Sequence, residues 1–370
     1  MRIESGRRAG AVGLALLLAS AAGAVSAEEL HLYAPASRGD VIRESVFSTP
    51  FGDDGSLSEL GALDLSGGTA GGLFSAPQPR RCVVIQCETV PPAPAPRLFT
   101  RGTTLWSAAS VLLGAVIGAE GPIDYGLHSF SFTDEGFFGY TTYGGGSDKA
   151  SHMVVSATVG GLLYDAYRLN GLDANRSFVM AASFSLFAGL MVEIGDGLTP
   201  YGFSAQDLTA DAVGALMGAL VKRGGFDDVI GFQIGKVPTT IPAEIVGERP
   251  LFGINYTKEM YGMTFKGGGI STHLGRSPGL ERFLQGSFVY LTKGYGHTPV
   301  IDSRYQEVGY EIGLNFAEIG RACGLSNETW WGDILLRALE FYRIPYTQIG
   351  VYYNFKNHKW YGAGAPYHYY

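Results

Sequence analysis

Four stretches between residues 99 and 224 are apolar at most positions and rich in small residues. They run from Thr103 to Ala119, from Asp148 to about Arg168, from Ser177 to about Ile194, and from Asp207 to Lys222. Each is predicted to be a helix. Pairs such as Gly160-Gly161, and the run Gly214-Ala215-Leu216-Met217-Gly218, suit close helix approach. After residue 225 the pattern changes. Val308, Tyr310, Ile312, Leu314 and Phe316 alternate with Gly309, Glu311, Gly313, Asn315 and Ala317, which is period two and predicts a strand with one apolar face. Ile349, Val351, Tyr353 and Phe355 repeat the pattern. Weaker strands are expected near Ile230–Val237, Phe252–Lys266 and Gln285–Lys293. Glu328 to Phe341 reads as an amphipathic helix carrying Trp330, Trp331, Leu335, Leu336 and Leu339, with Pro345 beyond its end.

These elements predict an α+β protein. A bundle of about four apolar helices (99–224) is followed by an antiparallel, β-rich half (225–370) with one amphipathic helix. Two settings for the bundle compete, one buried by other protein and one partly embedded in lipid. Each uninterrupted apolar run stays under about 18 residues, the lower end for crossing a bilayer. Asp165, Arg168, Glu193 and Asp211 also interrupt the runs, so the first setting is favoured. Strands rich in Gly and aromatics also occur in outer-membrane barrels. About five strands fall short of the eight that the smallest barrels need, so a sheet packed on the helices is the plainer expectation. A partial barrel or oligomeric pore is the rival.

The N-terminal quarter behaves differently. Arg2, Arg7 and Arg8, an apolar stretch from Ala11 to Val25, and Val25-Ser26-Ala27 predict a signal peptide over 1–27. No Cys follows the cleavage site, so a lipid-anchored start is not expected. Residues 28–98 lack periodicity and hold a Pro run at 91–96, which predicts a disordered linker. Cys82 and Cys87 are close enough to bridge if the chain turns between them, leaving Cys323 unpaired; no Cys/His spacing suggests zinc. Of 370 residues only 16% are charged, 46% are apolar, and Gly occurs 54 times. The net charge of −7 offers no basic face for nucleic acid. The composition suits an exported protein, periplasmic or outer-membrane associated, with lipid or a membrane as the expected partner.

The charges that survive in the apolar segments are the candidates for chemistry. Gly144-Gly145-Gly146-Ser147-Asp148-Lys149 opens the second helix, and His152 shares a face with Asp148. Glu193 and Asp196 lie three apart at the end of the third helix. Ser204 and Asp207 resemble a capping box at the start of the fourth, where Asp207 and Asp211 are four apart. If the helices are antiparallel neighbours, these groups meet at one end of the bundle. Charges in an apolar bundle are costly unless paired, metal-bound or solvated. Singly, each has a structural explanation as a cap, an ion pair or a satisfied histidine. Together, His152, Glu193, Asp196 and Asp211 are candidate ligands for a divalent metal, and His152 with Glu193 is a candidate acid/base pair. The Gly-rich turn with Lys149 is a weaker candidate for an anion. No GxSxG or HExxH motif is present.

The stretches 145–152, Glu193 to Gly197 and Gly202 to Gly214 resemble, in that order, the YfiM-like family of periplasmic or outer-membrane lipoproteins. The resemblance covers about 100–225. The ending, Phe341-Tyr342-Arg343-Ile344-Pro345 and then Ile349–Tyr361, is similar to longer members. A fainter similarity is to VanZ-like membrane proteins, through Asp148-Lys149 with His152 and the Ser204/Asp207 helix start. The resemblance implies an envelope location and no reaction, since none is established for the family. The missing lipidation Cys is a departure from it. The expectation is an exported envelope protein, structural or lipid-contacting, whose polar cluster staples the bundle. The rival is an envelope enzyme acting on a lipid-linked or phosphate-bearing substrate.

Overall fold

A computed structural model describes residues 98–236, 256, 259–295 and 304–362. The expected signal peptide, nearly all of the expected linker, and Cys82 and Cys87 lie outside the described residues. Cys323 is free and exposed.

The four expected helices form. They are α1 (Arg101–Gly118), α2 (Ser147–Leu169), α3 (Ala174–Gly197) and α4 (Ala205–Arg223). Side-chain caps set three of the starts. Thr100 and Thr103 make a reciprocal capping box on α1. Asp173 accepts from the Arg176 N–H, so α3 begins before the expected Ser177. Ser204 accepts from the Asp207 N–H on α4. The bundle is held by close backbone approach. A Cβ on Gly218 of α4 would lie 1.8 Å from the Ala157 carbonyl oxygen of α2, and one on Gly195 of α3 would lie 2.0 Å from the Gly118 carbonyl oxygen of α1.

The buried face of α1 consists of Thr103, Ser107, Ser110, Gly114 and Gly118, whereas Leu105, Leu112 and Ile117 are exposed. Helix α4 buries Ala210, Gly214, Ala215, Gly218 and Ala219 and exposes Val213, Leu216 and Leu220. Large apolar side chains thus point outward and small ones inward, the reverse of a water-soluble bundle. A compact apolar core does exist at one end, around Leu163, Tyr167, Leu172, Met180 and Ala181.

The C-terminal half contains β1 (Ile230–Lys236), β2 (Glu259–Lys266), β3 (Leu284–Lys293), β4 (Tyr305–Leu314), α5 (Trp330–Phe341), β5 (Tyr342–Arg343), β6 (Gln348–Asn354) and β7 (Lys359–Tyr361). The sheet order is β5-β1-β2-β3-β4-β6-β7, antiparallel except where β5 pairs with β1. The fold is therefore α+β. Its main sheet has seven strands among the described residues rather than about five, because β5 and β7 are too short for periodicity to reveal.

The expected alternation in β4 and β6 is present, but its apolar side faces outward. Ile312 is 66% exposed and its cross-strand neighbour Ile349 is 67% exposed, while Gly309, Glu311 and Gly313 are buried. The inward face is largely polar, around one apolar cluster of Met260, Val289, Leu291 and Tyr352. Arg343 forms an ion pair with Glu311, and the Tyr352 hydroxyl donates to the other oxygen of Glu311. Asn354 donates to Glu307 at 2.7 Å, and Gln285 donates to Gln233 at 3.0 Å. Arg343 and Glu311 sit four strand steps apart, about 19 Å on a flat sheet. Their contact shows that the sheet coils around this polar face. The outer face meets α2 through Phe232, Ile234, Tyr261 and Tyr290 around Ala150 and Val154. Among the described residues, the same face stays exposed over β4 and β6 at Tyr310, Ile312, Ile349 and Val351.

Candidate functional site

The site is built where the N-terminal turns of α2 and α4 meet the C-terminal part of α3. Gly144, Gly145 and Gly146 all have positive φ, which lets the chain turn sharply into α2. A Cβ on Gly145 would lie 2.5 Å from the Tyr295 ring, and one on Gly144 would lie 2.9 Å from the Tyr256 ring. Aromatic rings therefore close over the loop. The Tyr290 hydroxyl and the Gln306 amide donate to the Gly145 carbonyl. Lys149 turns towards carboxylates.

Lys149 is 1% exposed and pairs with Glu135, with Asp148 at 3.1 Å and with Asp207 at 3.0 Å. Burial opposes its charge, but these carboxylates outweigh that and hold its pKa above the usual lysine range. Asp148 also accepts from the Tyr256 hydroxyl. Burial pushes against the Asp148 charge, yet His152 and Lys149 prevail and lower its pKa. Burial raises the pKa of Asp207, and that of Glu135 to about 7.

His152 lies one turn further along α2. Its Nδ1 is 3.0 Å from Asp211 Oδ2; a carboxylate only accepts, so the ring nitrogen donates. The Ser156 hydroxyl donates to the other oxygen of Asp211 at 2.6 Å. Gly189 of α3 makes room for this carboxylate, since a Cβ there would lie 2.3 Å from Asp211 Oδ2. On the far side of the ring, Nε2 lies 3.7 Å from Glu193 Oε1 and 3.8 Å from Asp148 Oδ1, beyond hydrogen-bonding distance. Burial opposes charge on His152, but Asp211 and Asp148 outweigh it and hold its pKa well above normal.

Glu193 is 1% exposed. Its Oε2 accepts from the Ser204 N–H at 2.9 Å, the donor that a capping-box residue on α4 would otherwise take. Asp207, the residue in that box position, is drawn to Lys149 instead. Burial pushes the Glu193 carboxyl up to about 8.

The structure therefore brings together His152, Glu193, Asp211, Asp148, Lys149, Asp207 and Ser204. Asp196 is the exception. It lies one turn beyond Glu193, in neither group of residues close enough to share an ion, and beside Gly121. Burial raises its carboxyl to about 6. Glu135, Ser156 and Tyr256 belong to the cluster and escaped the sequence reading. Glu135 and Tyr256 sit in irregular segments that give no periodic signal, and Ser156 resembles any small residue of an apolar helix.

Residues 134–223 match the family described as predicted periplasmic lipoprotein (DUF2279). That stretch contains every charged member of the cluster. No curated protein and no solved structure matches the chain. The match supports a periplasmic lipoprotein-like chain, exported and periplasmic or outer-membrane associated.

Proposed function

We propose that this is a lipid-contacting structural protein of the cell envelope, in which the polar cluster ties α2, α3 and α4 together. One observation carries the reading: on α1 and α4, and again along β4 and β6, small and polar side chains pack inward while large apolar ones face out. Arg101–Tyr125 and Ala174–Gly197 are long and apolar enough to cross a membrane, yet only 28% and 33% of their apolar windows are buried. The core helix of a soluble protein would be mostly buried. Along β4 and β6 a polar interior and an apolar exterior repeat the arrangement of proteins whose sheets face lipid. A closer relationship to YfiM-like proteins, and a fainter one to VanZ-like proteins, is part of the same proposal and rests on the sequence motifs alone.

Fractionation with brominated phospholipids tests it. Trp360 is 57% exposed on the apolar side of the sheet and stacks near Tyr310. The chain is expected to stay with membranes after an alkaline wash, and brominated acyl chains are expected to quench Trp360. Recovery as a detergent-free monomer from a periplasmic extract overturns the proposal.

The held ring of His152 supports a second reading, an acid/base pair with Glu193 acting on a lipid-linked or phosphate-bearing substrate. His152→Ala and Glu193→Ala that fold normally but fail in a complementation assay favour it. Loss of several kcal/mol of stability in both favours the structural reading.

A further inference from the structure

We propose that His152, Glu193 and Asp211 form a binding site for a divalent transition-metal ion of the zinc–manganese type. One donor atom from each lies within 4.8 Å of the other two. The three come from three different helices, so an ion held here would join α2, α3 and α4 at one point.

Accounting for partners around the ring separates this group from its neighbour. Asp148 has Tyr256 and Lys149 on its two oxygens. Asp207 has Lys149 at 3.0 Å. Asp211 has Ser156 on one oxygen, and its other oxygen faces His152 Nδ1 at 3.0 Å across a proton that an ion shared by the three residues would displace. The group Asp148, His152 and Asp207 therefore already contains a cation, the Lys149 ammonium. Glu193 differs. Its Oε1 has no hydrogen-bond partner, although the residue is 1% exposed, and it faces Nε2 of His152 at 3.7 Å. A buried carboxylate oxygen without a donor is costly. The gap is too long for a hydrogen bond, but it suits two ligands of one ion, since bonds of about 2.0–2.2 Å place ligand atoms roughly 3–4 Å apart.

The surroundings are those of a held metal site. The Ser204 N–H fixes Glu193 through Oε2, and the Ser156 hydroxyl fixes Asp211 through Oδ1. Such outer partners orient ligating carboxylates. The His152 side chain is 15% exposed, which leaves a way in. Imidazole with two carboxylates favours zinc or manganese over calcium, whose sites are built from oxygen alone. The rival is that the imidazolium serves as the sole counter-ion, with no metal bound.

The test uses the untagged full chain in detergent, so its result does not depend on lipid contact. Metal content is measured by mass spectrometry as purified and after chelation, and the chelated chain is then titrated with zinc chloride and with manganese chloride while its melting temperature is followed. About one ion per chain, or restoration of a higher melting temperature by one of the two salts, is expected. Glu193→Gln keeps the shape and the Ser204 contact and should weaken binding at least about tenfold. Should that variant not fold, the wild-type titration decides alone. A wild-type chain that carries no ion and whose melting temperature neither salt moves overturns the proposal. So does a Glu193→Gln variant that binds as tightly as wild type.

Discussion

Gly218→Ala and Gly161→Ala separate close helix packing from intrinsic helix preference. Alanine is favoured over glycine in a helix interior by about 0.8–1.0 kcal/mol, so preference alone stabilises both variants. The structure splits them. A Cβ on Gly161 meets nothing nearer than the Lys222 Cγ at 3.6 Å, an ordinary contact. A Cβ on Gly218 would stand 1.8 Å from the Ala157 carbonyl oxygen, whereas ordinary contact begins at 3.4 Å. Backbone cannot rotate aside, so α4 must retreat from α2 by about 1.6 Å (the difference). Overpacking of this kind costs roughly 1–3 kcal/mol, and more where it breaks other contacts. Here it does, because the His152–Asp211 bond at 3.0 Å and the Lys149–Asp207 pair at 3.0 Å both cross that interface. The cost exceeds the preference. Gly218→Ala should lose about 1–2 kcal/mol net, the upper part of the overpacking range less the helix preference, and Gly161→Ala should gain about 0.5–1 kcal/mol. Thermal unfolding of the detergent-purified chain, followed by circular dichroism, reads both. A Gly218→Ala variant at least as stable as wild type refutes the packing argument, as does a Gly161→Ala variant destabilised to the same extent.

The same geometry sets three further outcomes. Lys149→Met strands Glu135, Asp148 and Asp207 and should cost about 3–5 kcal/mol in denaturant unfolding; a loss below about 1 kcal/mol would mean that the pairs are solvated. Glu135 has its pKa raised from 4.5 to about 7, chiefly by burial, so the folded state binds this proton more tightly than the unfolded state. Its contribution therefore makes stability fall as pH rises from 4.5 to 7; Glu135→Gln should flatten that slope, and an unchanged slope refutes the assignment. Ile312→Lys combined with Ile349→Lys should shift stability within about 0.5 kcal/mol per site if the face is in water, but should cost about 2–4 kcal/mol per site and release the chain from membranes if it lies deep in lipid.

Much of the cluster was legible because a charge in an apolar helix stands out, and residues three or four apart on a helix share a face. That logic placed His152 beside Asp148 and brought Asp211 and Glu193 to them. Asp196, three residues beyond Glu193, falls in neither group of donors close enough to share an ion and lies beside Gly121. Helix spacing settles which residues share a side, not which reach the same height. Glu135 could not be found this way, since its position comes from the loop that Lys149 draws inward. The sheet shows a related limit. Period two in β4 and β6 establishes that Ile312 and Ile349 share one side and that Glu311 and Gly309 share the other. It is silent on which side looks inward. In water the apolar side would be buried by default. Here Arg343 and Tyr352 engage Glu311 within the coil of the sheet, and a charge so enclosed would be costly if the strand faced the other way. The inward polar network and the outward apolar face are one decision, made by residues on β5 and β6 far along the chain from β4. The small-residue faces of α1 and α4 make the same decision for the bundle: with glycine, serine and alanine closing the interior, leucine and isoleucine are left for the surroundings to cover.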